Sequence, residues 1–291
     1  VSSAASDVYK RQLLPFLDVV AKHLGRQGVP VMQIVWARLF FGALLTLPFA
    51  IRIGGIRGLV PNLPAMHALR ASLIVAATAF FFAALHYLSI AETLAIFFVQ
   101  PLIVTILSPL VLGEHVGIRR WTAVTVGFIG TLIIIRPGFQ DFSPGMFLAL
   151  CSGASLAIYL LLTRKIAGSA PAILTTFYTS LAGALIMSVI VLFYWIPPTP
   201  SQWGFFVLLS LIANFGHYLI VKAYDHAEAS LLAPLAYTEM IMATFAGWYF
   251  FGDFPDGWTF VGVGVLITSA VYISMRERAR RIEPIRDFEQ P

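Results

Sequence analysis

Residues 90–114 read IAETLAIFFVQPLIVTILSPLVLGE, and the twenty positions 93–112 within this stretch carry no charged side chain. At about 1.5 Å of helical rise per residue, such a block crosses the roughly 30 Å hydrocarbon core of a bilayer. Nine further apolar blocks are separated by charged residues or by Pro and Gly. We predict an all-α integral membrane protein with ten transmembrane segments, at residues 13–24, 33–51, 69–88, 93–112, 121–135, 145–162, 173–195, 203–221, 230–251 and 258–275.

The overall composition excludes a soluble protein. Of 291 residues, 59% are apolar and 11% are charged, whereas soluble domains carry about 25% charged residues. The net charge is +5, but the basic residues lie between apolar blocks and in the tail, which favours contact with membrane lipid over binding of nucleic acid. A single cysteine, Cys151, offers neither a disulfide partner nor a metal-ligand spacing. We expect no metal and no cofactor.

The first twelve residues, VSSAASDVYKRQ, are polar where a first spanning helix should begin. Residues 7–12 match the peptide obtained by translating a transposon end used in sequencing libraries. We therefore expect residues 1–12 to be a non-native leader and the first helix, from residue 13, to be truncated. A short genuine cytoplasmic leader is the alternative.

The Lys and Arg residues predict the orientation, because basic loops resist translocation. With a cytoplasmic N-terminus, thirteen of them fall on the inside and three on the outside. The inside set is Arg52, Arg57, Arg70, Arg119, Arg120, Arg164, Lys165, Lys222, Arg276, Arg278, Arg280, Arg281 and Arg286, and the outside set is Lys22, Arg26 and Arg136. We predict a multi-pass protein of the inner (plasma) membrane with both termini cytoplasmic.

An internal repeat is visible around the fourth and ninth segments. Gly113-Glu114 ends the fourth and Gly252-Asp253 ends the ninth, at an offset of 139 residues. Five helices per copy force the second copy to enter the membrane inverted, as in many secondary transporters. We predict one five-helix repeat at residues 13–139, a second at 140–275, and a basic tail at 276–291.

Short motifs in both halves give the chain a family resemblance. They are Asp18, Lys22, Trp36-Ala37-Arg38, Gly113-Glu114, Gly127 and Gly130 in the first half, and Lys222-Ala223-Tyr224, Ala233-Pro234, Tyr237-Thr238-Glu239 and Phe251-Gly252-Asp253 in the second. Over residues 13–275 the chain resembles the EamA family of the drug/metabolite transporter superfamily. The resemblance implies a ten-helix carrier of small metabolites without ATP hydrolysis. Residues 237–239 are most similar to riboflavin or S-adenosylmethionine transporters, which is too little to choose a substrate, and Asp253 stands where the family usually has glutamate.

Two ionisable residues inside predicted spans are the main candidates for binding or coupling, because a charge in hydrocarbon needs a partner or a water-filled cavity. Arg38 either contacts Asp18 or loop carbonyls at a helix end, which we favour, or holds an anionic group of the substrate. Glu239 lies in the middle of the ninth segment, and its repeat mate is Gln100. We favour proton coupling or a counter-charge for Glu239 over a structural hydrogen bond between helices.

Other residues serve as weaker candidates for lining a cavity. Hydrogen-bonding and aromatic side chains within the spans are Trp36, Tyr159, Tyr178, Asn214, His217 and Tyr237. Considered one at a time, each of these side chains is better explained by helix packing or by anchoring at the membrane interface, and His217 by a structural hydrogen bond. We expect Glu92, Glu114, Glu228 and Asp253 to cap helices or to pair with basic residues.

Helix-breaking and small residues add to this pattern. Pro101, Pro109 and Pro234 should bend their helices and free carbonyls that can line a cavity. Gly42, Gly127, Gly130, Gly183, Gly262 and Gly264 should allow close helix packing.

The preferred function is a secondary transporter that moves a small metabolite of amino-acid, nucleoside, flavin or S-adenosylmethionine type by alternating access. The alternative, an integral membrane enzyme acting on a lipid-linked substrate, would need clustered acid/base or metal-binding residues. The sequence shows no such motif and no close pair of intramembrane carboxylates, so we expect no enzyme. A channel would need a continuous polar stripe. Direction of transport, coupling ion and oligomeric state stay open, a homodimer included.

Overall fold

The computed structural model describes residues 14–114, 116–136, 143–226, 239–253, 256–265 and 268–269, and these contain helices and no strand. The helices are α1 (Leu14–Arg26), α2 (Val31–Gly54), α3 (Pro64–Ala84), α4 (Ile90–Phe97), α5 (Val99–Leu112), α6 (Ile118–Ile135), α7 (Pro144–Lys165), α8 (Ala172–Ile190), α9 (Pro200–His226), α10 (Glu239–Phe251) and α11 (257–265). Short 3₁₀ turns at Arg57–Leu59 and Val191–Phe193 follow α2 and α8.

Six helical stretches in the described part are long and apolar enough to cross a membrane. They are Val31–Gly54, Pro64–Ala84, Ile90–Leu112, Pro144–Lys165, Ala172–Phe193 and Pro200–Lys222, and Val124–Ile134 is a shorter apolar helix. The prediction of an all-α multi-pass membrane protein is confirmed in the described part of the chain. Six rather than ten candidate spans meet the length and composition criteria there.

The third span begins earlier than predicted. Pro64 occupies the first turn of α3, where a missing N–H costs no hydrogen bond, and the helix ends at Ala84 rather than at residue 88. Arg70 therefore lies about two turns inside α3, fully buried, and the prediction that it is a loop residue is wrong. Seven of the other twelve inside Lys and Arg residues lie near helix ends or in loops of the described part, and the five of the tail lie outside the described residues.

The fourth span is broken into two half-helices at Phe98. Pro101 has no N–H to donate to the Phe97 carbonyl four residues earlier, so the helical ladder is interrupted there. Gly153 of α7 packs against that carbonyl so closely that an added Cβ would lie 2.5 Å from the Phe97 oxygen. The bend expected at Pro101 is thus observed as a break in the helix. Because Gly153 has no side chain, α7 can approach this break closely.

Close helix packing explains three of the glycines selected from the sequence. An added Cβ would lie 2.3 Å from the Asn214 side chain at Gly42, 3.0 Å from Leu39 at Gly183, and 2.4 Å from Ile134 at Gly262. At Gly264 it would meet none of the described residues within 4 Å, so no close packing supports the prediction there. Since lipid tails are as apolar as leucine, such close contacts rather than apolar burial hold membrane helices together.

The arrangement of the helices follows from these contacts. α2 packs along α8, and α3 packs along α7. α7 also lies against α4 and α5, while α1 lies against α9 and α10. The two half-helices of the fourth span therefore face α7 at the level of the break, and this is where the cavity described below is found.

Candidate functional site

A cavity of about 110 Å³ lies between α1, α2, α3, α7, α9, α10 and the α4–α5 break. Its wall is mostly aliphatic and aromatic, with a small set of polar groups facing inward. The polar lining residues are Asp18, Arg38, Thr78, Gln100, Ser152, His217 and Glu239. Four residues selected from the sequence, Arg38, Gln100, His217 and Glu239, therefore line one space.

Arg38 is the cationic group of this cavity. It is the eighth residue of α2, about 10 Å along the helix from its start. Its Nη1 donates a hydrogen bond to Thr78 Oγ1 of α3, and it interacts electrostatically with Asp18 of α1. The hydrogen bond of Arg38 in the described residues goes to Thr78 rather than to Asp18 or a loop carbonyl, and Arg38 and Asp18 both line the cavity.

Two carboxylates share the cavity with this single guanidinium. Asp18 and Glu239 are both 6% exposed, and both line this cavity. The sequence alone did not indicate this pairing of intramembrane carboxylates, which arises because α1 and α10 pack side by side although they are far apart in sequence. Among the described residues, one arginine and two acids line the cavity, and a buried carboxylate can be neutralised by a proton or by a cationic group.

Gln100 and His217 complete the polar lining. Gln100 lies in the first turn of α5, directly after the break, and is 2% exposed. His217 lies on α9 with its ring centre 5.2 Å from that of Tyr159. Its Nε2 is buried and has no hydrogen-bond partner among the described residues. The interpretation of His217 as a satisfied hydrogen-bonder is therefore wrong for this atom, which is available to a ligand.

Two further candidates hold helices together away from the cavity. Trp36 donates through Nε1 to Ser188 Oγ at 3.0 Å and stacks on Phe40. Asn214 accepts from Ser180 Oγ at 3.0 Å and donates to the Ser210 carbonyl at 2.8 Å. Both side chains make structural contacts between helices, as the packing alternative expected.

Tyr159 and Tyr178 belong to a second polar network, around Arg70. Arg70 donates to Tyr159 Oη at 3.1 Å, to Thr163 Oγ1 at 3.0 Å and to His67 Nδ1 at 3.3 Å. Tyr178 donates through its hydroxyl to the Gly58 carbonyl, and its ring lies 4.9 Å from that of His67. Neither tyrosine lines the cavity. The remaining candidate, Tyr237, lies outside the described residues.

The candidates selected from the sequence omit three polar residues that line the cavity, namely Asp18, Thr78 and Ser152. Ser152 donates to the Ala77 carbonyl at 2.7 Å and so ties α7 to α3 beside the cavity. A charged residue inside an apolar block, the signal that selected Arg38 and Glu239, also applies to Asp18. The shortness of the first block concealed that Asp18 lies within a helix packed into the bundle.

Comparison with known proteins gives the family. The profile of the EamA-like transporter family matches residues 16–136 and again residues 143–275. The chain belongs to the EamA-like transporter family. One solved crystal structure superposes on it with a TM-score of 0.74, covering 97% of this chain and 99% of the other at 18% identity. At that identity the likeness concerns the fold alone.

Characterised relatives of this EamA protein carry different cargoes. An S-adenosylmethionine uptake transporter of Rickettsia prowazekii is 25% identical over 261 residues, which cover 90% of this chain and 88% of the relative. A riboflavin transporter of Vibrio cholerae is 26% identical, covering 90% and 89%. A pseudopaline exporter of Pseudomonas aeruginosa is 24% identical, covering 86% and 88%. These relatives include both uptake and export proteins.

The described lining of this EamA cavity offers charged and hydrogen-bonding groups to a ligand. Among the residues that the structure describes, no group of three or more His, Cys, Asp or Glu side chains is arranged to hold a metal ion. The guanidinium of Arg38 can receive a carboxylate through its planar fork. Asp18 and Glu239 can receive a cation or a proton. The cavity thus offers opposite charges to a small polar molecule within a mostly apolar wall.

Proposed function

We propose that this EamA protein is a secondary transporter that carries a small metabolite through the cavity by alternating access. The observation that supports the proposal most is that Asp18, Arg38 and Glu239 line one cavity beside the broken α4–α5 span. These groups come from both ends of the chain. Charged groups inside a bilayer are costly, and transporters place them on the substrate or ion path beside discontinuous helices.

The inverted repeat is supported by the helix contacts. In the other half, the counterparts of α3, α7 and α8 are α9, α1 and α2. The α3–α7 contact therefore corresponds to the α9–α1 contact, and the α3–α8 contact corresponds to the α9–α2 contact. The contact of α7 with α4 and α5 likewise corresponds to that of α1 with α10. All these pairs are present. Together with the two family matches, they support ten helices in two inverted halves at 13–139 and 140–275.

The proposed location is the inner (plasma) membrane with both termini cytoplasmic. Its support is the excess of Lys and Arg on the predicted inside. With this orientation the C-terminal ends of α5 and α7 face the cytoplasm, and those of α1 and α10 face outward.

The proposed substrate is a small amphipathic metabolite that carries a carboxylate and a cationic group. Arg38 would bind the carboxylate, while Asp18 and Glu239 would face the cation. Among the cargoes named for relatives, this charge pattern favours S-adenosylmethionine over riboflavin. The apolar wall, with Phe81, Phe97 and Phe98, suits a planar group on the same molecule.

The test is transport into proteoliposomes by the Glu239→Gln variant. The amide keeps the size and hydrogen bonding of the side chain but cannot exchange a proton or balance a cation. We expect uphill accumulation of S-adenosylmethionine to be lost and its pH dependence to flatten, while substrate exchange survives. The matched control is Glu92→Gln, which removes a carboxylate held in a capping box with Ser89 away from the cavity.

Three results would each contradict one part of the proposal. Normal accumulation by the Glu239→Gln variant from pH 5 to 8 would make Glu239 a structural residue. Absence of transport by the unmodified protein across amino acids, nucleosides, flavins and S-adenosylmethionine, with and without a pH gradient, would contradict the substrate class. Chemical turnover of a lipid-linked compound by the purified protein would favour the enzyme alternative.

A further inference from the structure

Ion pairs in the described part of the chain connect its N-terminal and C-terminal halves. Lys22 Nζ lies 2.7 Å from Asp253 Oδ2, and Arg26 lies 4.0 Å from the other oxygen of that carboxylate. Arg164 Nε lies 3.6 Å from Glu114 Oε1. Each contact joins a residue before position 137 to one after position 142. Breaking them would remove polar contacts between the halves, which also meet through the Arg136–Asp256 ion pair and through the packing of α2 on α8 and of α3 on α7.

The Lys22–Asp253 and Arg164–Glu114 pairs lie at opposite ends of the broken span. Lys22 Nζ also donates to the Leu88 carbonyl at 3.3 Å, two residues before α4 begins. Glu114 follows α5 by two residues. The 23 residues of Ile90–Leu112 separate the two pairs, which is about 35 Å of helix. The cavity borders this span near its middle, at Phe97, Phe98 and Gln100.

The two acids occupy equivalent positions in the repeat. Each follows a glycine that closes its helix with positive φ, 69° at Gly113 and 71° at Gly252. Each pairs with a basic residue near the C-terminal end of the first helix of the opposite half, α7 for Glu114 and α1 for Asp253. In each pair one side chain is 9% exposed, Glu114 in one and Lys22 in the other. Partial burial keeps these contacts stronger than ordinary surface pairs.

A second pocket lies beside the Lys22–Asp253 pair, here called the outer pair. It has a volume of about 340 Å³ and is lined by Lys22, Arg26, His86 and Asp253 among others. Phe82 lines both this pocket and the cavity, so one buried aromatic ring stands between them. Movement of α1 away from α10 would break the Lys22–Asp253 contact and widen the passage beside this ring.

We propose that Lys22–Asp253 and Arg164–Glu114 are two symmetry-related gates, one at each face of the membrane, which open in alternation during transport. The proposal rests on the proposed function. When the outer pair, Lys22–Asp253, separates, the cavity becomes accessible from the Asp253 face. The inner pair, Arg164–Glu114, meanwhile keeps the other end closed. Neutralising one acid weakens its own gate and shifts the resting protein toward opening on that face.

The experiment measures access to the cavity from each side and needs no substrate. A reporter cysteine replaces Leu156, which lines the cavity, after the native Cys151 is changed to Ser. An impermeant thiosulfonate reagent is applied to right-side-out and inside-out vesicles. Asp253→Asn should raise the labelling rate from the Asp253 face at least fivefold and lower it from the other. Glu114→Gln should do the reverse.

Two further variants separate gating from a loss of stability. Glu92→Gln removes an acid near the outer pair that is bonded within its own half, so its labelling rates should match those of the parent. The charge-swapped Lys22→Asp/Asp253→Lys variant should restore the parent rates. Unchanged rates in both Asp253→Asn and Glu114→Gln, or a rise on the same face in both, would overturn the gates. A shift in labelling without any metabolite transport would contradict the proposed function and leave the gates intact.

Discussion

Replacing Gly153 by alanine should disturb the cavity without touching any of its charges. The added methyl group would lie 2.5 Å from the Phe97 carbonyl oxygen and 2.9 Å from Val99 Cγ1. Ordinary contact begins at 3.4 Å, so α7 and the α4–α5 break must separate by about 0.9 Å. The oxygen belongs to the backbone and cannot turn aside as a side chain could. Overpacking of this kind typically costs 1–3 kcal/mol.

The separation would displace cavity residues on both sides of the contact, since Phe97, Phe98 and Ser152 all line the cavity. We expect the apparent melting temperature in detergent to fall by about 2–4 °C for each kcal/mol, and the initial transport rate to fall at least tenfold at equal protein in the membrane. The control is Gly204→Ala on α9, where the methyl group meets nothing within 4 Å. This variant should keep its transport rate and melt at the same or a higher temperature. Parent-like melting and transport of Gly153→Ala would refute the close approach.

Three other predictions follow from the same structure. Arg38→Lys should impair transport although the charge is kept, because an ammonium cannot reproduce the planar fork; full activity of Arg38→Ala at normal expression would show that the residue neither binds substrate nor holds the fold. Tyr159→Phe should destabilise the protein by about 1–3 kcal/mol in thermal unfolding, since buried Arg70 loses a hydrogen bond, and an unchanged melting curve would contradict that. A reporter fused after Arg281 should be cytoplasmic and one at residues 197–201 external; the same location for both would contradict the inverted repeat.

The fold class could be predicted from the sequence because the bilayer imposes a simple rule. Every span must satisfy its own backbone and present an apolar surface to lipid, so length and hydropathy reveal the spans. Helix ends were less predictable. An arginine beside an apolar block predicts a helix end at Arg70, whereas the protein begins the helix at Pro64 and buries that guanidinium among Tyr159, Thr163 and His67.

The candidate site could be predicted only in part. Arg38 and Glu239 stood out because a charge in hydrocarbon is conspicuous, and Gln100 followed from the repeat offset. Trp36 and Asn214 carry equally suitable side chains, yet they form contacts between helices elsewhere. Which face of a helix a polar residue occupies depends on the partner helix, and the partner of α1 is α10, at the other end of the chain. No local pattern contains that information.

The burial of Arg70 constrains the order of events during synthesis and membrane insertion of the protein. Its hydrogen-bond partners on α7, Tyr159 and Thr163, are made 89 and 93 residues after it, so α3 leaves the ribosome long before they exist. Until α7 arrives, the guanidinium must stay at the lipid headgroups or remain sheltered by the insertion machinery, since an arginine in hydrocarbon costs at least about 2.5 kcal/mol. Nascent chains arrested before Tyr159 should hold α3 shallowly and be degraded faster than chains arrested after Thr163.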